Sequence, residues 1–248
     1  MGVFSKIFNK QKLRDPLDFS VIKTDMHSHL IPAIDDGAKD MQDAIELVRG
    51  LQHIGYKKLI TTPHVMSDFY RNTSDGIRRG ADALASELAR EGINIGIHAA
   101  AEYYCDEHFE NLIEKKDLLT FGDNHILFEL PFAAPPSNLK RVIFNLQMAG
   151  YKPILAHPER YGYWHNQMDQ FRSLVDKDVF LQLNINSISG VYSPAVKKIG
   201  MKMMEEGLIS YVGTDCHHGG HIGALIESSR IPQFQDYVAS DKILNRSL

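Results

Sequence analysis

The chain has 248 residues, 44% hydrophobic and 23% charged, and its 31 acidic and 27 basic side chains leave a formal charge of -4. That length suits one large α/β domain, and the charge balance disfavours a general nucleic-acid binder. No apolar run approaches the roughly 20 residues of a membrane-spanning helix, Ser5 and Lys6 interrupt the first apolar stretch where a secretory signal would lie, and two cysteines, Cys105 and Cys216, are too few for a disulfide framework.

Residues 1–18 form a basic extension in which Lys6, Lys10, Lys12 and Arg14 are interspersed with Val3, Phe4, Ile7 and Phe8. Such a segment can make peripheral contact with an anionic membrane, although a terminus that packs its few apolar residues on the domain requires less. Residues 19–248 read as a single domain, opening with a strand at 21–26. Met41, Ala44, Ile45, Val48 and Leu51 recur at helical spacing, Gly55 stops that helix, and a strand through Leu59-Ile60-Thr61-Thr62 follows. A helix through Ala81, Leu84 and Leu88 leads to a strand at 93–101; a strand at 125–130, a helix opened by Ser137 and closed near Gly150, and a strand at 153–157 come next. A helix through Phe171, Leu174 and Val175 precedes a strand at 179–185, and Pro194 opens a helix that Gly207 closes before a strand at 209–214. Strands alternating with helices predict a parallel sheet with right-handed crossovers, and seven such units can close into a barrel with its active site at the carboxyl ends of the strands.

Those strand ends carry the chemistry. The first leads into His27 and His29, which point the same way because residues two apart on a strand share a face. Each later strand but one ends in a metal-competent side chain: His64, Glu102, Glu129, His157, and Asp215 with His217. Imidazoles mixed with carboxylates suit zinc, manganese or iron rather than calcium, and so many of them argue for more than one ion.

The segments Asp25-Met26-His27-Ser28-His29 with Asp35-Asp36-Gly37, Thr61-Thr62-Pro63-His64, Ala101-Glu102-Tyr103-Tyr104, Phe128-Glu129-Leu130-Pro131, Ala156-His157-Pro158-Glu159-Arg160 and Gly213-Thr214-Asp215-Cys216-His217 resemble, in order, those of the polymerase and histidinol phosphatase (PHP) superfamily. They are most similar to its bacterial tyrosine-protein phosphatases of capsule and exopolysaccharide synthesis. The resemblance implies a distorted seven-stranded (β/α)7 TIM-like barrel with three divalent transition-metal ions, manganese being expected and iron or zinc acceptable to the same ligands. By position it implies one ion on His27, His29, Glu102 and Asp215, a second on Glu102, Glu129 and His157, and a third on Asp36, His64 and His217, with Glu102 bridging the first two. Three such ions outweigh the four carboxylates and leave a positive surplus suited to a phosphate monoester dianion.

The expected reaction is hydrolysis of phosphotyrosine by a metal-bound hydroxide, with Arg160, His64 and His217 as the candidate catalytic residues. Arg160 would offer a two-pronged fork to the phosphoryl oxygens, and Arg71 and Tyr70 would line the substrate entrance. The cysteine route needs a Cys-x5-Arg loop, which neither Cys105 nor Cys216 provides; both read as packing residues. Tyr161, Tyr163 and Trp164 are weighed as a wall for an aromatic substrate ring against ordinary packing. Asn184 and Asn186 are expected in turn or outer hydrogen bonds, and His218 and His221 in a solvated loop or near phosphate. The implied partner is a phosphotyrosine protein, namely an autophosphorylating bacterial tyrosine kinase of polysaccharide export, and the expected compartment is the cytoplasm. The alternatives are a phosphatase of a small metabolite such as histidinol phosphate and a non-catalytic, metal-stabilised regulatory module.

Overall fold

Seven short parallel strands fall at the seven predicted positions and two more follow just beyond two of them, in a computed structural model that describes residues 12–248. They are β1 Thr24–Asp25, β2 Lys58–Thr61, β3 His64–Val65, β4 Gly96–Ala99, β5 Glu102–Tyr104, β6 His125–Glu129, β7 Lys152–Ala156, β8 Phe180–Asn184 and β9 Tyr211–Gly213. β3 and β5 resume past the ends of the strands predicted at 59–62 and 93–101, and the breaks before them separate a β1-β2-β4 sheet from a β3-β5-β6-β7-β8-β9 sheet. The breaks lie side by side, at Thr62-Pro63 and at Ala100-Ala101. Pro63 has no N–H to continue the ladder, yet the register is preserved across the gap: Thr61 pairs with Ala99 before it, and His64 with Glu102 after it. The ligand-type residues His64 and Glu102 therefore begin the second sheet as a directly opposed pair.

The helices follow the apolar periodicity, and four of the eight α-helices among the described residues are opened by side-chain caps. In α1 (Met41–His53), Asp40 accepts from Asp43 N at 2.9 Å while Ala44, Ile45, Leu47, Val48 and Leu51 are buried. Thr73 caps α2 (Ser74–Arg90), Asp106 caps α3 (Glu107–Lys115), and Ser193 caps α6 (Pro194–Glu205), with α4 (Leu139–Met148) and α5 (Met168–Val175) between the last two. The helices α7 (Gly219–Ser229) and α8 (Pro232–Ala239) complete the series. Helices α3, α7 and α8 lie outside the elements expected from the sequence. In α3 only Phe109 and Ile113 are buried in a run otherwise rich in acid, and α7 opens on Gly219-Gly220, which reads as loop. No helix of the described residues is long and apolar enough to cross a membrane.

The first and last strands are joined mainly by side chains. Thr214 donates to Asp25 from its backbone N at 3.0 Å and from its hydroxyl at 2.7 Å, and beyond the strands Asp215 N donates to His27 O and His29 N to Cys216 O. At the opposite end the fully buried Asn245 donates to Thr24 O at 2.9 Å and Val212 O at 2.7 Å and accepts from Val212 N at 3.0 Å. A small cluster that includes Met26, Ile60, Leu127, Ile154 and Tyr211 packs separately from the larger core, to which the helices contribute their buried faces. Most of the basic amino-terminal segment lies outside the described residues; within them, Arg14 pairs with Asp236 and Leu17 N donates to Ser229 Oγ.

Replacing Asn245 with Ala removes three buried hydrogen bonds and leaves two strands with unsatisfied groups, so Asn245→Ala is expected to cost about 3 kcal/mol of folding stability. Denaturant unfolding at constant slope measures it, and a loss below about 0.5 kcal/mol would show that the first and last strands hold together without this side chain.

Candidate metal centre

The nine residues read as ligands all converge on one face. His27 and His29 follow β1, His64 begins β3, Glu102 begins β5, Glu129 ends β6, His157 follows β7, Asp215 and His217 follow β9, and Asp36 lies in the loop after β1. Their donor atoms form four overlapping groups: His27–His29–Asp215, His27–Glu102–His157, His64–Glu102–Glu129 and His29–Asp36–His64–His217. Glu102 stands between them, with Oε2 3.2 Å from His27 Nε2 and from His64 Nδ1 and 3.5 Å from His29 Nε2, and Oε1 2.9 Å from His157 Nε2. His64 is shared as well. Its Nδ1 is 3.2 Å from Glu129 and its Nε2 is 3.6 Å from Asp36, so it faces both the group with Glu129 and the group with Asp36 and His217.

This arrangement fits divalent ions. Two ligands about 2.1 Å from a shared ion in tetrahedral geometry stand roughly 3.4 Å apart. His27 Nε2 and His29 Nε2 are 3.3 Å apart, and each lies 3.5 Å from Asp215 Oδ1. The buried His64 Nδ1 and Glu102 Oε2 face each other but have no hydrogen-bond partner, as lone pairs directed at a cation would.

A second layer of residues sets the direction of those lone pairs. His27 Nδ1 lies 2.8 Å from Gln182 Oε1, His29 Nδ1 2.7 Å from Asp35 Oδ2, and His217 Nδ1 3.0 Å from Asp215 O. Each partner is an acceptor, so each Nδ1 carries the proton and each Nε2 is left free to ligate. Asp35 also accepts from Gly37 N and His64 N. Gly37 permits this turn because a Cβ there would meet His29 O at 2.2 Å. His157 and Asp215 adopt left-handed backbone, with φ 33° and 49°, a conformation that strains non-glycine residues and concentrates at functional sites.

Burial opposes charge on Glu102, Asp215 and His27, and mutual attraction overcomes it. His27 and His64 hold Glu102 well below the usual carboxylate range, and His27 and His217 do the same for Asp215. In return, Glu102 and Asp215 outweigh burial at His27 and hold it at about 9.

The cluster forms the floor of a cavity of about 550 Å³. Arg160 lies beside it, donating from Nη1 to Asp215 Oδ2 at 3.0 Å, while Asn184 Nδ2 reaches the same oxygen at 2.8 Å. The guanidinium carbon is 5.0 Å from the ring centroid of Phe132 and 4.6 Å from that of Tyr192. The neighbouring Glu159 is fully buried and accepts from Ser187 Oγ and Asn184 N, tying the Arg160 turn to the segment after β8.

Other expectations for the cavity need correction. Arg71 is exposed, donates from Nε to Ser67 O, and is not part of the lining. Its neighbours Phe69 and Tyr70 do line it. Tyr161 and Trp164 are buried and, with Tyr163, pack among themselves and Phe171; the aromatic wall weighed for this run is core packing. His218 and His221 reach the lining, and burial followed by the charge of His218 holds His221 down at about 4. Asn184 and Asn186 make outer hydrogen bonds, Asn186 Nδ2 to His221 O. Sequence reasoning missed Gln182, Phe132, Tyr192 and Phe69 altogether and gave Asp35 no role of its own. The available signals were a lone amide in the apolar run Phe180-Leu181-Gln182-Leu183 and the second acid of Asp-Asp-Gly.

Comparison with known proteins agrees with this geometry. A family model described as capsular polysaccharide synthesis, CpsB/CapC, matches residues 23–238. The chain is 32% identical over 195 residues to the tyrosine-protein phosphatase YwqE of Bacillus subtilis, covering 78% of this chain and 77% of that one. It is 26% identical over 202 residues to the tyrosine-protein phosphatase CpsB of Streptococcus pneumoniae, covering 78% and 82%. Crystal structures of YwqE and CpsB, described as metal-dependent tyrosine phosphatases, give a TM-score of 0.78 at 28% identity, over 90% of this chain and 94% of the other. The Escherichia coli phosphotriesterase homology protein shares the fold alone, with a TM-score of 0.56 at 13% identity over 91% and 96%.

Two outcomes are expected from this geometry. Because His27 is held at about 9, a divalent ion must displace protons at neutral pH; affinity therefore rises with pH up to about 9, and the heat of binding varies with buffer ionisation enthalpy. A pH-independent affinity between pH 6 and 8 would contradict the protonation assigned to His27. Replacing Gln182 with Leu frees the His27 tautomer and is expected to weaken divalent-ion binding about 10–100-fold, measured by titration against a chelating indicator.

Proposed function

The chain belongs to the CpsB/CapC family of capsular polysaccharide synthesis, and on that premise we propose that it is a PHP-type, metal-dependent protein-tyrosine phosphatase. The observation that carries the reading is the convergence of five imidazoles and four carboxylates, six of the nine buried, with His64 and His217 half-buried and Asp36 exposed, at the floor of an open cavity beside Arg160. We assign one ion to His27, His29, Glu102 and Asp215, a second to Glu102, Glu129 and His157, and a third to Asp36, His64 and His217. The spacings among His27, His29 and Asp215 and among Asp36, His64 and His217 support the first and third assignments, and for the second His157 Nε2 lies 2.9 Å from Glu102 and 3.9 Å from Glu129. Manganese is the expected ion, and iron and zinc suit the same donors. We treat residues 19–248 as the catalytic domain.

When bound, divalent ions supply positive charge to the phosphoryl oxygens and a water activated for attack at neutral pH. The remaining roles fall to the chain itself. Arg160 keeps its charge because Asp215 outweighs the effect of burial, and its fork can donate to two phosphoryl oxygens. Phe132 and Tyr192 hold the guanidinium in place. His64 and His217 reach the cavity wall on either side of Asp36, where a proton on either would stabilise the departing phenolate. No protein nucleophile is required. Burial raises the thiols of Cys105, to about 12, and of Cys216, and both side chains are buried, so neither is a thiolate at neutral pH.

The substrate in this reading is a phosphotyrosine protein, specifically an autophosphorylating tyrosine kinase of the polysaccharide export machinery. The two free cysteines are consistent with a reducing, cytoplasmic setting.

Protein reconstituted with manganese is expected to hydrolyse a phosphotyrosine peptide in preference to histidinol phosphate and to lose that activity to chelator. A preference for the small metabolite would overturn the assignment, and a fully loaded but inactive protein would point to a regulatory module. Arg160→Lys keeps the charge but loses the fork, so kcat/KM should fall about 10–100-fold while ion affinity stays close to that of the parent chain.

A further inference from the structure

Among the described residues, three phenylalanines stand out as exposed: Phe69 at 76%, Phe132 at 48% and Phe144 at 60%. Two of them, Phe69 and Phe132, line the same cavity. They come from different loops, Phe69 after β3 and Phe132 after β6. Phe132 stacks on His157 with ring centroids 5.8 Å apart, touches Tyr161 at 5.6 Å, and lies 5.0 Å from ring centroid to the Arg160 guanidinium carbon. It therefore lies next to the place where a phosphoryl group would meet Arg160.

Phe69 differs in making no ring contact among the described residues, although its loop is firmly built. Met66 and Tyr70 exchange backbone hydrogen bonds at 2.9 Å in both directions, Ser67 N donates to the α3 cap Asp106 at 3.0 Å, and Arg71 Nε donates to Ser67 O at 2.6 Å. Tyr70 stacks on His64, centroids 5.5 Å apart. A well-anchored turn that holds a phenyl ring in water gains nothing from it in folding. The apolar face becomes favourable only when a ligand covers it.

We infer that Phe69 and Phe132 form an aromatic clamp for the ring of the substrate, and that this clamp, rather than the metal cluster, selects aryl over alkyl phosphate esters. The inference rests on the phosphatase reading above for the orientation of the phosphoryl group. The cluster and Arg160 recognise the dianion and are indifferent to what it is attached to. An attached phenyl ring emerging past Phe132 reaches the exposed face of Phe69, where offset or edge-on ring contacts add to apolar burial.

Calorimetric binding of phenylphosphonate and methylphosphonate to the manganese-loaded full chain, at a pH above the second ionisation of both, tests the clamp without turnover, since both are then dianions and neither is hydrolysed. The parent protein should prefer the phenyl compound about tenfold, Phe69→Ala should cut that preference about fivefold, and Phe69→Trp should restore it. Phe132→Leu should reduce the preference as well. Absence of a preference in the parent chain, its survival in Phe69→Ala, or equal weakening of both ligands would overturn the clamp. Turnover of a phosphotyrosine peptide is measured separately: its absence overturns the proposed function, whereas the phosphonate ratio decides the clamp.

Discussion

The carboxylate of Glu102 is completely buried, and the imidazoles of His27, His29, His64 and His157 lie within 3.5 Å of it. A lone carboxylate in such a place would be prohibitively unfavourable, so Glu102 requires cations or protons around it. The strand ends that deliver the imidazoles must therefore meet at this point. Strand breaks, left-handed ligand backbones and side-chain ties between the first and last strands can all be understood as ways of satisfying that requirement.

Preserved register across the two breaks brings His64 opposite Glu102, where a one-residue slip would turn either side chain to the other face. Asp25 and Asn245, both fully buried, bind β1 and β9 by hydrogen bonds from two ends. His27 and Asp215 are consequently neighbours even though almost the whole chain separates them. Asp215 then divides its two oxygens. Oδ1 faces the imidazoles, and Oδ2 is held by Arg160 and Asn184, so the group that would recognise phosphate is anchored to a member of the cluster itself.

Charge recognition and ring recognition are separated in space. The floor is polar, buried and built from strand ends, while the rim is aromatic, exposed and built from loops. Rigid strands suit ligands that must be placed to within a fraction of an ångström, and loops allow the rim to differ without disturbing the floor. Tyr161 and Trp164 show how this division defeats a reading by proximity: they follow Arg160 in sequence, yet their rings turn into the core, while Phe132 and Tyr192 from other loops flank its guanidinium.

The order of His27, His29, His64, Glu102, Glu129, His157, Asp215 and His217 was legible in the sequence because parallel strands place their carboxyl ends together, so a residue just after each strand has a known address, whereas Asp36 was legible only through the resemblance of its Asp-Asp-Gly segment. Seven strand positions, the alternation with helices and the noncatalytic character of both cysteines followed from local patterns of the same kind. The two strand breaks, the acid-rich α3 and the glycine-opened α7 did not, since their apolar signals are short or diluted. Nor could local pattern reveal that Gln182 orients His27, that Asp35 orients His29, that His64 faces two ligand groups, or that Phe69 and Phe132 share a cavity. Those relations depend on how separate strands and loops come to rest against one another, and only the packed tertiary structure decides which distant side chains end up within hydrogen-bond or ring-contact distance.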